Sequence, residues 1–238
     1  MPHSSWLPSA LPPSRRSLDA ARILALFAAA CRIRAQLRAD AQHAPLRGRN
    51  LALLLEDPAR NECAALERAA GELGARVAHV RYRHRPGAPH ADVAPLARTL
   101  GRMYDAIDCG TLPAATVREM EAAANVPVYD GLGLASHPLR ALGDLMTLYQ
   151  HPLPPATPPT IRFHGDPASP QARAFVSAAR TIGFDVTTAA NEAAFVVDGL
   201  GAARWPICTC AGAIDETRRA DNHRSLIQAV LIESIGCA

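Results

Sequence analysis

Residues 50–56, NLALLLE, hold an unbroken apolar run of strand length, and a strand with no polar face must be buried on both sides. The chain repeats that pattern with helical segments between. A helix from Ser17 to Asp40 comes first, and after the apolar run follow a helix at 61–73 and a strand at 76–80. A helix at 92–103, a strand at 104–108, a helix at 113–124, a strand at 126–129 and a helix at 137–149 complete this half. Strands alternating with helices predict an α/β fold with a parallel sheet covered on both faces.

HPLPPATPPT, 151–160, interrupts the pattern with five prolines, which continue neither a helix nor a central strand, so it reads as a stiff linker. The pattern then restarts with a strand at 160–165, a helix at 169–182, strands at 184–189, 193–198 and 206–210, and a closing helix at 216–235. The expected organisation is a loose tail at 1–17, a first domain at 18–150, the linker at 151–160 and a second domain at 161–238. Two α/β lobes result, each with a central, mainly parallel sheet flanked by helices, and a cleft at the carboxyl ends of the strands.

Composition removes several functions. A hydrophobic share of 49%, a charged share of 20% and a net charge of +3 describe a globular chain without a nucleic-acid footprint. Every basic residue counted with lysine is in fact arginine, so a P-loop lysine and a Schiff-base lysine are both excluded. Six cysteines in a chain of this size read as reduced thiols in a cytoplasmic protein. SRRSLDAARILALFAAACRI, 14–33, resembles a twin-arginine or lipoprotein signal. Asp19, Arg22, Arg32 and Arg34 instead make it an amphipathic first helix, too short and interrupted to cross a bilayer, so no membrane is expected.

Three segments carry a resemblance: ARTLGRMYDAI (97–107), VPVYDGL (126–132) and HPLRALGDLMTLYQH (137–151). They resemble ornithine carbamoyltransferase, of the aspartate/ornithine carbamoyltransferase family, whose His-Pro helix has the form H-P-x-Q-x-L-x-D-L-x-T. Only its glutamine is missing. The resemblance extends over LALLLEDPARNECAALERAAGELGA, similar to the family's F-E-K-P-S-T-R-T-R loop and helix, and IRFHGDPASPQARAFVSAARTIGFDV, similar to its G-D-x-x-N strand and helix. WPICTCA resembles the H-C-L-P segment, and RADNHRSLIQAVL the closing E-A-E-N-R helix. It implies two α/β domains, the first binding carbamoyl phosphate and the second an amino acid, in oligomers whose active sites are shared between subunits.

Carbamoyl transfer must hold a dianion and polarise a carbonyl, work for hydroxyls, amides and arginines at a helix N-terminus and for aimed Arg and His donors. Carried over by position, the S-T-R-T-R ligands become Ala59, Arg60, Asn61, Glu62 and Cys63, so the loop's anion ligands are replaced. The arginine after the YDAI strand falls on Gly110, the glutamine of the His-Pro helix on Arg140, and a polar ligand lent by a neighbouring subunit on Pro86. The closing arginine falls on His223, with Arg224 adjacent. In the second domain, shorter than the family's, the resemblance places amino-acid contacts at Asp166, Asp198 and Cys208, with Asp130 in the first. The asparagine of G-D-x-x-N falls on Ser169.

His137 is the leading catalytic candidate, since its family counterpart touches the carbamoyl oxygen; alternatively His137 and Pro138 simply start a helix. Arg60 and Arg140 could rebuild an anion site from new directions, or pair with Glu62 or Asp57 and lie on a solvated helix face, respectively. Cys208 with Cys210, and His79, His84 and His90, lack four-ligand metal spacing, and GLG at 131–133 and 199–201 lacks the full dinucleotide fingerprint, so no metal or cofactor is expected. The expectation is a shortened family member that has lost most or all activity and serves as a binding or assembly subunit, alone or with an intact carbamoyltransferase. The alternative is an active enzyme with a rebuilt site for another amine.

Overall fold

The computed structural model describes residues 19–40, 42–56, 63–82, 93–154, 157–189, 192–200, 205–209 and 212–236. The chain divides into two compact units, one within Arg32–Leu134 and Ile227–Ala238, the other within Leu18–Cys31 and Ala135–Leu226. Two helices therefore contribute to both, α1 (Ala20–Ala39) and α7 (Glu216–Ile235).

In the first unit β1 (Asn50–Leu55), β2 (Arg76–Arg81), β3 (Ala106–Asp108) and β4 (Val128–Tyr129) form a parallel sheet of order β2-β1-β3-β4. The apolar run predicted its own place: Leu51 to Leu55 are all buried, so β1 lies inside the sheet with both faces covered. Alternation sends Ala52 and Leu54 to one face, where they join Val93, Ala97 and Leu100 of α3 (Val93–Met103) and Val117 and Met120 of α4 (Ala114–Ala123). α2 (Ala64–Glu72) buries Leu66, Ala69 and Ala70, and its Glu72 accepts a 2.7 Å hydrogen bond from Gln228 of α7. Tyr129 of β4 hydrogen-bonds Ser234 near the end of α7. β2 lies at one edge of the sheet, and its exposed Arg76, His79 and Arg81 make that edge unattractive for further pairing.

The second unit holds β5 (Thr160–His164), β6 (Asp185–Thr187), β7 (Phe195–Asp198), β8 (Ile207–Thr209) and β9 (Gly212–Ala213) in the order β6-β5-β7-β8-β9. β6, β5 and β7 run parallel, and β8 and β9 are antiparallel additions. Residues 199–206 are too few for a crossover, so the chain returns antiparallel. Trp205 packs edge to face on Phe163 of β5 and on Phe175 of α6 (Pro170–Thr181), with centroids 5.3 and 5.7 Å apart, and the two phenylalanine rings lie tilted at 6.2 Å. α5 (Pro138–Tyr149) packs against α6 and is buried at every residue from Leu139 to Leu148. Arg140, Asp144 and Thr147 are therefore largely withdrawn from water, and each needs partners inside the protein.

At the amino end of the first sheet, Asp105 accepts from Arg49 Nη1 (2.9 Å) and from the Asn50 amide (2.8 Å). Burial pushes its carboxyl up, but these two donors outweigh burial and hold it below the usual carboxylate range. A depressed folded pKa contributes stability above the unfolded value of about 3.9 that is lost as pH falls through the folded pKa. Asp105→Asn should therefore flatten the loss of stability below about pH 4, measured by urea denaturation across that range. An unchanged acid limb would show that Asp105 does not contribute to it.

Candidate functional site

Open parallel sheets bind ligands at the carboxyl ends of their strands, where the strand order reverses. In the first sheet that point lies between β1 and β3. Ala59, Arg60, Asn61 and Glu62 follow β1 and lie outside the described residues, as does Pro86. Cys63, the last of the loop positions, is buried at the start of α2, where its carbonyl accepts from the Leu66 and Glu67 amides at 2.9 and 3.2 Å. A Cβ at Gly133 would stand 3.0 Å from the Leu66 amide and 3.2 Å from the Cys63 carbonyl oxygen, so the 131–133 segment is pressed directly onto the first turn of α2.

The loop after β3 is drawn shut by a residue the sequence did not single out. Asp108 is fully buried, and its carboxylate accepts from the Gly110 amide (2.8 Å) and the Leu132 amide (2.9 Å). That tie holds Gly110 in a left-handed turn with φ +53°, where a Cβ would stand 2.7 Å from the Leu54 carbonyl oxygen. The position at which the resemblance calls for an arginine is thus a backbone contact with β1. Neighbouring Cys109 is buried, and burial, with Asp108 and other acids adding to it, pushes its thiol well up, so it carries no thiolate nucleophile. Asp130, beyond β4, is exposed.

In the second unit the reversal lies between β5 and β7. Gly165, at φ +129°, is so close to Gly199 that a Cβ would stand 2.9 Å from the Gly199 carbonyl carbon. Asp166 and Asp198 flank this contact. Asp166 Oδ1 accepts from the Ala168 amide (2.8 Å) and Asp198 Oδ1 from the Leu200 amide (3.1 Å), each closing a local turn. Ser169 caps α6, its hydroxyl accepting from the Ala172 amide at 3.3 Å. Cys208 is taken up in the middle of the β7-β8-β9 ladder, opposite Val196 and Ala213.

The polar side chains of this unit converge along α5 and α7, which run in the same direction. Arg140 Nη2 donates to Glu216 Oε1 (2.8 Å) and lies 3.7 Å from Asp144 Oδ1. Arg219 donates through Nε to Asp144 (2.9 Å) and through Nη1 to Glu216 Oε2 (2.7 Å). Asn222 donates to Thr147 Oγ1 at 2.8 Å. Arg140 is 8% exposed, so it lies inside this network and not on a solvated helix face. Burial pushes the Asp144 carboxyl up, against the opposing pull of Arg219 and Arg140. The helices touch at Gly143, where a Cβ would stand 2.9 Å from the His223 Cα. Arg224, next to the buried His223, pairs with Asp221 at 2.7 Å.

His137 caps α5. Its Nδ1 accepts from the Leu139 amide at 3.1 Å, ahead of Pro138 at the first helical position. With Nδ1 an acceptor, a neutral ring carries its proton on Nε2. Glu216 and Arg219 were missed in the sequence because polar residues three apart on a helix read as a solvated face. Their signal was the matching spacing of Arg140, Asp144 and Thr147 on a helix otherwise wholly apolar. Among the described residues no group of three His, Cys, Asp or Glu side chains is placed to hold a metal ion, and no helix is long and apolar enough to cross a membrane.

Two open sheets, each flanked by helices and each with one reversal of strand order, define a two-unit α/β protein. Residues 14–150 match the model of the aspartate/ornithine carbamoyltransferase carbamoyl-P binding domain, and the chain belongs to that family. Among solved structures it is similar to the ornithine carbamoyltransferase of Burkholderia thailandensis, at 18% identity and TM-score 0.68 over 93% of this chain and 97% of that one. The ornithine carbamoyltransferase of Pyrococcus furiosus gives 18% and 0.67 over 93% and 95%. The aspartate transcarbamoylase of Trypanosoma cruzi gives 15% and 0.62 over 97% and 98%.

Two substitutions probe this geometry. Gly110→Arg, which writes in the family's residue, should cost about 3 kcal/mol of unfolding free energy through its left-handed backbone and its contact with β1. Asp144→Ala leaves two buried guanidinium groups around one carboxylate and should cost about 3 to 5 kcal/mol, both read by urea denaturation.

Proposed function

We propose that this chain is a carbamoyltransferase-family subunit that has lost carbamoyl transfer and acts in the cytoplasm as a binding or assembly subunit, in a homo-oligomer or beside an intact carbamoyltransferase. The observation that carries this reading is Arg140. At the place of the family's glutamine it spends its guanidinium on Glu216 and Asp144, and so is not aimed at a substrate carbonyl. Gly110 supports the same reading, because where the resemblance implies an arginine the chain makes a left-handed turn instead. One missing oxyanion donor costs roughly 3 to 4 kcal/mol in a transition state, so losses at two such positions together leave little of the family rate.

One observation favours the alternative of an active transferase acting on carbamoyl phosphate and a different amine. His137, with Nδ1 accepting from the helix it caps, has the tautomer that donates from Nε2, as a group polarising a carbamoyl oxygen must. A panel assay for ureido products over diverse amines, paired with calorimetric titration of carbamoyl phosphate, separates the two. The expected result is no product above the uncatalysed background and no saturable binding in the micromolar range, about 8 kcal/mol of affinity. Turnover that is lost on Arg60→Ala and His137→Ala would overturn the proposal in favour of a rebuilt site. Co-elution with an intact carbamoyltransferase is expected for the mixed assembly, and a partnerless monomer would remove the assembly role.

A further inference from the structure

Glu216 is held in an unusual way for a surface carboxylate. It is 44% exposed at the first residue of α7, yet each of its oxygens is gripped by a different buried guanidinium, Oε1 by Arg140 at 2.8 Å and Oε2 by Arg219 at 2.7 Å. The two arginines are only 8% and 4% exposed. Asp144 supplies one further negative charge, at 2.9 Å from Arg219 and 3.7 Å from Arg140. Without Glu216 the remaining three groups carry a net charge of about +1 in a poorly solvated place, the condition under which an anion is drawn in.

A second observation shows that the guanidinium pair is short of acceptors even with Glu216 in place. Among the described residues, Arg219 Nη2 is buried and finds no hydrogen-bond partner. A buried guanidinium nitrogen without an acceptor carries a desolvation cost that a third oxygen would relieve. A carboxylate has only two oxygens to give, and both are taken. A tetrahedral oxyanion has more.

We infer that Arg140 and Arg219 form a two-arginine site for a small oxyanion, phosphate or a phosphate-like group first, which Glu216 fills as a built-in plug. Arginine forks match carboxylate and phosphate oxygens in the same way, so the plug and the ligand are chemically equivalent at the clamp. Glu216 sits on the solvent side of the pair, so its side chain swings out without disturbing the helix that carries it. The tethered carboxylate competes at an effective concentration of roughly millimolar, so free phosphate engages the intact chain weakly and more tightly once the plug is removed. The inference does not rest on the loss of carbamoyl transfer, since the clamp would exist in an active or an inactive chain.

The test is calorimetric titration of inorganic phosphate into the full chain, into Glu216→Ala and into Glu216→Ala/Arg140→Gln, with chloride holding ionic strength constant. Phosphate should bind Glu216→Ala about tenfold or more tightly than the unaltered chain, and the added Arg140→Gln should abolish the gain. Equal affinity with and without Glu216, or a gain that survives Arg140→Gln, would overturn the site. Acetate in place of phosphate identifies the ligand chemistry: binding of phosphate alone assigns phosphate groups, and binding of both assigns oxyanions in general. Should Glu216→Ala fold poorly, thermal midpoints of the unaltered chain and Arg140→Gln at saturating phosphate decide the matter. A phosphate-specific rise confined to the unaltered chain supports the clamp, and its absence there overturns it. Neither result depends on carbamoyl phosphate or ureido products, so the outcome is separate from that of the transferase assay.

Discussion

The second unit depends on a helix that has no wet side. α5 is buried from Leu139 to Leu148, and a helix in that position must satisfy whatever polar groups its sequence carries. The α5-α7 contact meets this demand by stepping in register, Arg140 with Glu216, Asp144 with Arg219, Thr147 with Asn222. Gly143 permits the register, because any side chain there would strike the backbone of His223 and separate the helices. A few ångströms more would lengthen every one of those charge-assisted bonds and leave buried charges unpaired. The packing of one glycine and the electrostatics of four ionised groups are therefore a single constraint.

Much of the fold was legible because burial writes itself into periodicity. The continuous apolar run at 50–56 became the inner strand β1, and the His-Pro dipeptide became a helix start with both residues in their expected capping roles. Ser169 with Pro170 opened α6 in the same manner. The short β9, Gly212–Ala213, was not legible, since two small residues carry no alternation, and only its antiparallel pairing with β8 reveals it. The direction of β8 was hidden too, because it is set by the length of a connection and not by the strand's own residues.

The resemblance implies a set of replacements at the site, but no sequence reading supplies their contacts. The resemblance places Arg140 at the position of a glutamine, which says nothing of where its guanidinium goes. The answer lies seventy-odd residues away, in Glu216, whose spacing looks like any exposed helix face until its neighbouring helix is known. Asp108 escaped notice for a related reason. A carboxylate that serves two backbone amides forms no motif, and only the folded chain brings Gly110 and Leu132 within its reach.

The turn at Gly110 also bears on what the chain tolerates by substitution. An arginine, which the resemblance implies at this position, cannot simply be written in, because Gly110 sits in a left-handed conformation against the Leu54 carbonyl, fastened there by Asp108. To admit a longer residue, the fastening acid and the strand contact would have to give way at the same time. The closed loop thus sets its own tolerance: at Gly110 the backbone accepts only a residue with no Cβ, so variation is confined to positions outside the Asp108 tie.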